Sequence, residues 1–341
     1  VGVGGATLGG GVSYLSNKYG WACDNVASFE LVIACGSLII ASPTSYSDLY
    51  WALRGGGNNF GIVTSFRLYA YPQGDMQFTQ FEYNDTYFSR VISAFVNVGK
   101  NSADDPNAQQ NLLFGHKNGT KIVRGQLAYQ HPAESPRIFR EYRRIPMFSK
   151  FPDIRIRQSD ETALAGATAP KGFRQSFWVA TCDLDLDFAI YATKLFYSKS
   201  KKFEAFPDVN ANLNLQVITT RQISQMAKNG GNPLGLSYTK RPLLILLLFP
   251  QWSDQAYDNS IYRTNQEIFK HLKIEAKNRG LYNKFIYMNY ASEYQDVIAS
   301  YGKENKQKLK DIAKKYDPKE VFQKLQPGYF KLNGAPLQEL P

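Results

Sequence analysis

Along residues 1–72, short apolar runs alternate with clusters of small residues. Phe29 to Ala34 and Ser37 to Ala41 read as strands, and Gly61 to Tyr71 as a third. Between them, Ser47 to Leu53 repeats its apolar side chains at helical spacing, with Ser47 or Asp48 in the capping position. Ahead of these elements, Gly2 to Gly11 is dominated by glycine and reads as a series of turns. The pattern predicts a lobe of mixed helix and strand, interrupted at Pro72-Gln-Gly74.

Beyond that break the sequence is more polar and aromatic. Strands are expected over Gln77 to Tyr83, Ile122 to Tyr129, Ser176 to Cys182, Asn212 to Ile218 and the strongly apolar Leu243 to Phe249. Helices are expected over Thr86 to Gly99 and Asp185 to Ser198. A long amphipathic helix from Ser253 or Asp254 to Asn278 puts Ile261, Ile268, Leu272 and Ala276 on one stripe and closes at Gly280. Phe285 to Asn289 reads as a strand, and the basic helix Glu304 to Lys315 stops at Tyr316-Asp-Pro318. Helices laid on an antiparallel sheet are the simplest arrangement of these elements, which makes the fold class α+β.

Size and composition narrow the function classes. At 341 residues, 43% hydrophobic, the chain suits two domains of the usual size, about 100–200 residues each. Its longest apolar run, Leu243 to Phe249, is strand-length, well short of the roughly 20 residues of a membrane span, so no membrane is expected. The net charge of +11 concentrates in helix-like segments such as Lys194 to Lys202 and Lys303 to Lys315. That distribution reads as solvated helix faces, which also attract an anionic cofactor or substrate; no nucleic-acid motif accompanies it. Cys23, Cys35 and Cys182 lack CxxC or zinc-finger spacing, and neither a metal nor a disulfide framework is expected. The chain opens on Val1 without Met or signal peptide, so a preceding segment is expected. The acceptors Asn84-Asp-Thr86 and Asn118-Gly-Thr120 lean toward the secretory pathway.

Three segments carry candidate chemistry. In Val1 to Val12, the glycines let the backbone approach a flat or anionic ligand and present N–H groups to it, yet the third glycine of a dinucleotide fingerprint is missing. Trp51 to Thr64 joins a helix to a strand through Gly55-Gly-Gly57 and two amides, again exposing backbone donors. Tyr19-Gly-Trp-Ala-Cys-Asp-Asn-Val26 reads alone as a turn before a strand. G-x-S-x-G, H-E-x-x-H and a phosphate loop are all missing, which argues against a hydrolase, a metalloprotease or a kinase.

In this order and spacing, the three segments resemble the berberine-bridge-enzyme-like branch of the vanillyl-alcohol-oxidase superfamily. The pattern V-G-x-G-G-x-x-x-G-G-G falls on Val1 to Gly11, Y-G-x-x-x-D-N-V on Tyr19 to Val26, and the W-A-L-R-G-G-G segment within Asp48 to Thr64. Tyr287-Met-Asn-Tyr290 is similar to the family's Y-x-N-Y, and Tyr316-Asp-Pro318 with Phe322 to its tail. The resemblance implies a split FAD-binding α+β domain plus a substrate domain whose antiparallel sheet is covered by helices. Residues 1–73 would form the second lobe of the FAD domain, 74–284 the substrate domain, and 285–341 the return to the FAD domain.

The resemblance also implies roles for single residues. Val1, Gly2, Gly4, Gly5, Thr7, Leu8, Gly9, Gly10 and Gly11 would wrap FAD, joined by Gly20, Cys23, Asp24, Asn25 and Val26. Gly61, Ile62 and Val63 would lie along the cofactor, and Asn289 and Tyr290 would touch it or lock the strand. Tyr287 would be the catalytic base; a tyrosine of ordinary pKa, about 10, needs a neighbour that lowers it. Many plant members place a second tyrosine where this chain has Val12. In the family, the loop that grips the pyrophosphate and the flavin-linking histidine lie upstream of this region. His116, His131 and His271 fall in the middle stretch and are not linking residues. The segment Gln222 to Leu236 reads as a surface turn or a loop over substrate.

The expected function is that of an FAD-dependent oxidase, passing hydride from a small secondary metabolite or sugar-like alcohol to flavin, with oxygen as acceptor. Two alternatives stand beside it. One is a flavin-free metabolite-binding protein or cyclase derived from this fold, and the other is a fragment completed by a separate N-terminal partner chain.

Overall fold

The computed structural model describes residues 2–117, 119–133, 135–161, 172–236, 239–326, 328, 330–338 and 340; Val1 and Asn118 lie outside these residues. Contacts divide the chain into two units. The first comprises Val1–Tyr71, Arg221–Lys240 and Lys284–Glu339, and the second Pro72–Thr220, Arg241–Asn283 and Leu340–Pro341. Residues 221–240, grouped from sequence with the middle stretch, therefore pack with the terminal segments.

In the first unit, β1 (Val26–Val32) is the centre of a three-stranded antiparallel sheet, flanked by β2 (Leu38–Ala41) and β3 (Ile62–Leu68). Alternation along β1 sends Phe29 and Leu31 into the core, where both are fully buried. Glu30 and its neighbours Ile40 and Ser65 take the other face. Leu38, Ile40 and Ile62 are 59%, 56% and 55% exposed, an unusual run of apolar side chains for a sheet surface.

The helix Ser47–Leu53 forms where its periodicity places it and buries Leu49 through Leu53. Its cap differs from the expectation: Tyr46, in the left-handed region at φ 49°, precedes the helix, and neither Ser47 nor Asp48 caps it. Asp48 is drawn instead to the helix Lys303–Tyr316, accepting from Lys315 Nζ at 2.7 Å and Tyr316 OH at 2.8 Å. That helix ends at Asp317, whose carboxylate accepts from the amides of Val321 and Phe322 at 2.8 Å and so starts the next turn.

Two further expectations change here. The glycine-rich start contains a short helix, Val3–Leu8, closed by a bond from Gly9 N to Gly5 O at 3.0 Å. Phe285 to Asn289 is not a strand. Tyr287 is extended but unpaired, and Met288–Tyr290 forms a 3-10 turn. Side-chain and backbone partners on the glycine-rich segment, described below, hold this stretch in place of a strand ladder.

In the second unit the strands are β4 (Met76–Asn84), β5 (Ala108–Lys117), β6 (Thr120–Tyr129), β7 (Ser149–Lys150), β8 (Ile154–Ile156), β9 (Arg174–Gln175), β10 (Trp178–Asp183), β11 (Leu213–Ile218), β12 (Leu243–Leu248), β13 (Gln251–Trp252) and β14 (Tyr282–Asn283). All but β9 and β13 belong to one nine-stranded sheet of order β14-β10-β12-β11-β5-β6-β4-β7, with β8 also on β4. The pairings are antiparallel. β12 is buried at every position because it runs between β10 and β11 with both faces covered. Each such leucine stabilises the fold by roughly 1.5–3 kcal/mol.

Helices cover one face of this sheet. Trp178 stacks on Phe269 of the helix Asp258–Asn278, whose stripe Ile261, Ile268, Leu272 and Ala276 is buried as its spacing predicts. Phe114 meets Phe88 of the helix Phe88–Lys100 and Tyr197 of the helix Leu186–Ser200. Asp185 caps the last of these through Phe188 N at 2.8 Å. Strand β5 was not expected from the sequence, and it is the partner that joins β11 to β6.

Candidate active site

The site builds outward from the turn Trp21–Val26. Asn25 amide bonds to Tyr19 O and Trp21 O close this turn at 3.0 and 2.8 Å, and Asp24 accepts from Trp21 N at 2.9 Å. The turn then binds the glycine-rich segment through its backbone: Ala22 N donates to Gly11 O at 2.8 Å and Cys23 N to Gly10 O at 2.9 Å. Such pairing needs small residues opposite. A Cβ on Gly10 would stand 2.8 Å from the Trp21 ring and 3.2 Å from Tyr287, at a φ of +121°, and one on Gly11 would stand 2.5 Å from Ala22 Cβ. A Cβ on Gly9 would meet Asn289 Oδ1 at 2.0 Å.

Tyr287 closes the arrangement from the other end of the sequence. Its ring packs on Trp21 with centroids 4.9 Å apart and on Tyr290 at 4.7 Å. Its hydroxyl oxygen accepts from Gly11 N at 3.1 Å, Val12 N at 3.0 Å and Asn289 Nδ2 at 3.0 Å. The second Asn289 amide hydrogen goes to Ala6 O at 2.9 Å. A hydroxyl has two acceptor lone pairs, so three converging N–H donors suit a phenolate oxygen better than a phenol. Burial nevertheless pushes the Tyr287 hydroxyl well above the ordinary tyrosine range, and Tyr290 adds to this; the bonds from Val12, Asn289 and Gly11 pull it back only in part.

The remaining residues singled out from sequence spread around this centre. Gly2, Gly4, Gly5, Thr7 and Leu8 belong to the helix Val3–Leu8 or its cap; Thr7 is buried, and Leu8 O accepts from Gly57 N at 3.1 Å. Gly20, at φ +90°, makes room for the Asp24 carboxylate and Gln225. Cys23 is fully buried, and burial raises its thiol well above the usual range. Asn25 accepts from Tyr71 OH at 2.7 Å, and Val26 opens β1. Gly61 leads into β3, where a Cβ on it would stand 2.8 Å from Val32 O, and Ile62 and Val63 pair with Val32 and Leu31. The structure thus brings Gly9, Gly10, Gly11, Cys23, Tyr287, Asn289 and Tyr290 together.

Residues that sequence reading passed over hold this cluster. Arg54 is fully buried; its Nε donates to Cys23 O at 2.7 Å, its Nη1 to the carbonyls of Lys228, Asn229 and Gly231, and its Nη2 to Asp24. Asn232 Nδ2 reaches the same carboxylate at 2.8 Å. Gln222 accepts from Trp21 Nε1 and donates to Asn17 Oδ1, both at 3.0 Å. The segment 222–232 is therefore anchored on the Trp21–Val26 turn by a buried charged pair and an amide relay.

Does this arrangement suit a flavin? Gly2 and Gly5 have no atom within 4 Å of where a Cβ would stand, and a Cβ on Gly4 would only touch Phe66 at 3.7 Å. Gly2, Gly4 and Gly5 thus leave the edge of the helix Val3–Leu8 open to close approach by a flat ring system, with Val3 67% exposed in the same segment. The residues present fit the group. Among the described residues, no cluster of His, Cys, Asp or Glu could hold a metal ion.

Solved structures with the same fold define the class. 6-Hydroxy-D-nicotine oxidase from Arthrobacter nicotinovorans superposes with a TM-score of 0.74 at 22% identity, over 94% of this chain and 70% of that one. A single-residue variant of berberine bridge enzyme gives 0.74 at 16% identity over 94% and 69%. A VAO-type flavoprotein from Myceliophthora thermophila shares the fold, with a TM-score of 0.67 at 23% identity over 98% of this chain and 61% of that one. Sequence relatives go further. The FAD-dependent monooxygenase tpcD of Cochliobolus heterostrophus is 34% identical over 98% of this chain and 67% of its own length. The bifunctional solanapyrone synthase of Alternaria solani is 31% identical over 96% and 62%. The chain belongs to the family of FAD-dependent oxidoreductases that these sequence relatives represent, enzymes whose cofactor is FAD. It spans about two thirds of the length of the curated relatives it matches. No family model matches the chain.

Proposed function

We propose that the protein oxidises a small secondary metabolite or sugar-like alcohol, with Tyr287 as the proton acceptor and oxygen as the final electron acceptor. The carrying observation is the convergence of Gly11 N, Val12 N and Asn289 Nδ2 on the Tyr287 oxygen. Fixed donors aimed at one oxygen stabilise a phenolate and offset in part the burial that keeps the Tyr287 hydroxyl protonated, so the role rests on a further positive group at the site, which bound oxidised flavin would supply. FAD supplies two-electron acceptance when bound. Gly2, Gly4 and Gly5 would take its flat surface and Ile62 would flank it, while Arg54 and Asp24 keep the turn behind Gly10 and Gly11 in place.

The test has two parts. Purified protein is titrated with FAD and followed by visible absorption, then acid-precipitated to see whether colour stays in the pellet. Flavin reduction by substrate is then timed in the wild type and in Tyr287→Phe. The expected result is retained flavin binding with reduction slowed by about 10²–10⁴-fold. A colourless protein that takes up no FAD sinks the oxidase reading in favour of a flavin-free metabolite-binding protein or cyclase. A Tyr287→Phe rate within a few-fold of wild type demotes Tyr287 to a packing role.

A second reading concerns completeness. The exposed Leu38, Ile40 and Ile62 on one sheet face favour cover by further polypeptide, and we propose that a segment supplying the rest of the flavin site packs there, in the same chain or as a partner.

A further inference from the structure

The basic stretch Lys194 to Lys202, which reads in the sequence as a solvated helix face, borders a cleft on the helix-covered side of the large sheet. The cleft has a volume of about 420 Å³ and lies between the helix Phe88–Lys100, the helix Leu186–Ser200 and the 3-10 turn Lys201–Ala205. Helical spacing sets Ile190, Lys194 and Tyr197 on one stripe of the second helix, with Lys201 one turn further on. Phe88 and Ile92 line it from the first helix, and Lys121 reaches it from β6.

The floor of the cleft is aromatic and held in place. Phe88 and Tyr197 stack with centroids 5.6 Å apart and 16° between their planes, and the rings of Phe114 and His116 meet Tyr197 edge-on. The Tyr197 hydroxyl is tied to the carbonyls of Gly115 and Ile122 at 3.0 and 2.8 Å, which fixes its ring. Ile92 and Thr193 are buried beside it, and the Thr193 hydroxyl is spent within its own helix, on Ala189 O at 2.9 Å. Such a floor accepts a planar apolar ring that continues the stack.

Lysines on a helix face are ordinary, and their presence alone decides nothing. Their pairing does. Lys199, on the same helix, is neutralised by Glu267, whereas Lys121, Lys194 and Lys201 have no ion-pair partner among the described residues. Lys121 Nζ stands over the Tyr197 ring, 5.4 Å from its centroid. Two carboxylates also line the cleft: Asp85, just ahead of the first helix, and Glu204, whose Oε1 faces His116 Nε2 at 3.6 Å. Burial holds the His116 imidazole below the ordinary histidine range, with Glu204 opposing and Lys121 assisting, so it adds no charge at neutral pH. Three ammonium groups against two carboxylates leave one surplus positive charge, which suits a monoanion and disfavours a nucleotide with its run of phosphates. We infer that this cleft binds a small aromatic carboxylate, its ring against Phe88, Tyr197, Ile92 and Ile190 and its carboxylate among Lys121, Lys194 and Lys201. The inference stands apart from the flavin reading and does not rest on it.

Calorimetric titration of the purified protein with 2-naphthoate tests this, with 2-naphthalenemethanol as the neutral counterpart. Saturable binding of 2-naphthoate is expected, weakening as salt rises, with the neutral counterpart bound at least about threefold less tightly. The double variant Lys194→Gln with Lys201→Gln removes two exposed charges and is expected to weaken 2-naphthoate about three- to tenfold. Ser198→Trp, at an exposed position lining the cleft, serves as an independent second variant; its indole fills the space, and loss of binding is expected. Absence of saturable binding at millimolar concentration overturns the proposal, as does equal affinity for the neutral counterpart. Affinity unchanged in both folded variants puts the naphthoate at another site and overturns it as well.

Discussion

Asp24 and Arg54 meet at 3.3 Å with neither side chain exposed to solvent. A buried ion pair contributes little net stability over well-packed apolar residues, but loss of one partner strands the other charge. Arg54→Met is therefore expected to destabilise the fold by about 3–5 kcal/mol. Arg54→Lys should recover only part, because a single ammonium cannot reach Cys23, Asp24 and the 228–231 carbonyls together. Denaturant melts of the two variants check this, and equal stability of both with wild type removes the clamp from the account.

Tyr287→Phe carries a stability cost as well as the proposed kinetic one. The amides of Gly11 and Val12 and one hydrogen of Asn289 lose their acceptor in a buried site. A loss of about 1–3 kcal/mol is expected, read as a lower thermal midpoint in protein without FAD.

The glycine-rich segment divides into two kinds of position. Gly10→Ala puts a Cβ into the Trp21 ring at a backbone angle that disfavours it, and a large loss of stability is expected. Gly5→Ala enters open space inside a helix and is expected to stabilise by roughly 0.5–1 kcal/mol while weakening FAD uptake. Stabilisation with unaltered FAD affinity would place the cofactor elsewhere.

Acid sensitivity is expected from Glu82, a buried carboxylate between Lys117 at 2.8 Å and Arg124 at 2.6 Å. Burial works to raise its pKa, but the bonds from these two cations outweigh it and hold the carboxyl below its ordinary value of 4.5. The folded state thus binds fewer protons than the unfolded chain in that window. The stabilisation is present above about pH 4.5 and is lost as pH falls through the lowered folded value. Glu82→Gln should flatten the pH dependence of the melting temperature in that acid range.

The open face of β1, β2 and β3 predicts concentration-dependent association. Leu38→Lys with Ile40→Lys should reduce light scattering without lowering the melting temperature, since both side chains are more than half exposed.

Much of this was legible in the sequence where local signals are strong. The helix Ser47–Leu53 and the strand Leu243–Leu248 stand where their periodicity places them. Strand β5 was missed because Gln109-Gln110-Asn111 shows neither an apolar run nor β-branched residues, and its place is fixed by partners on β6 and β11. Phe285 to Asn289 has the composition of a strand, but Tyr287 is held by groups 275 and 276 residues away. Arg54 gave no sign of burial because nothing local marks an arginine whose acceptors are carbonyls on a distant loop. The glycines and Tyr287 came from motif resemblance; the groups that hold them came only from the structure.

The clamp at Arg54 also imposes an order of events on biosynthesis. Its carbonyl partner at Lys228 is made 174 residues later. At roughly 5–20 residues per second, the guanidinium waits on the order of ten to thirty-five seconds after its own synthesis for that partner to be made. Through that interval it stays hydrated, so the first unit cannot reach its final packing while the nascent chain still lacks the segment 228–231. A ribosome stalled within the intervening stretch would hold an unfinished lobe with an open apolar core, a natural substrate for chaperones.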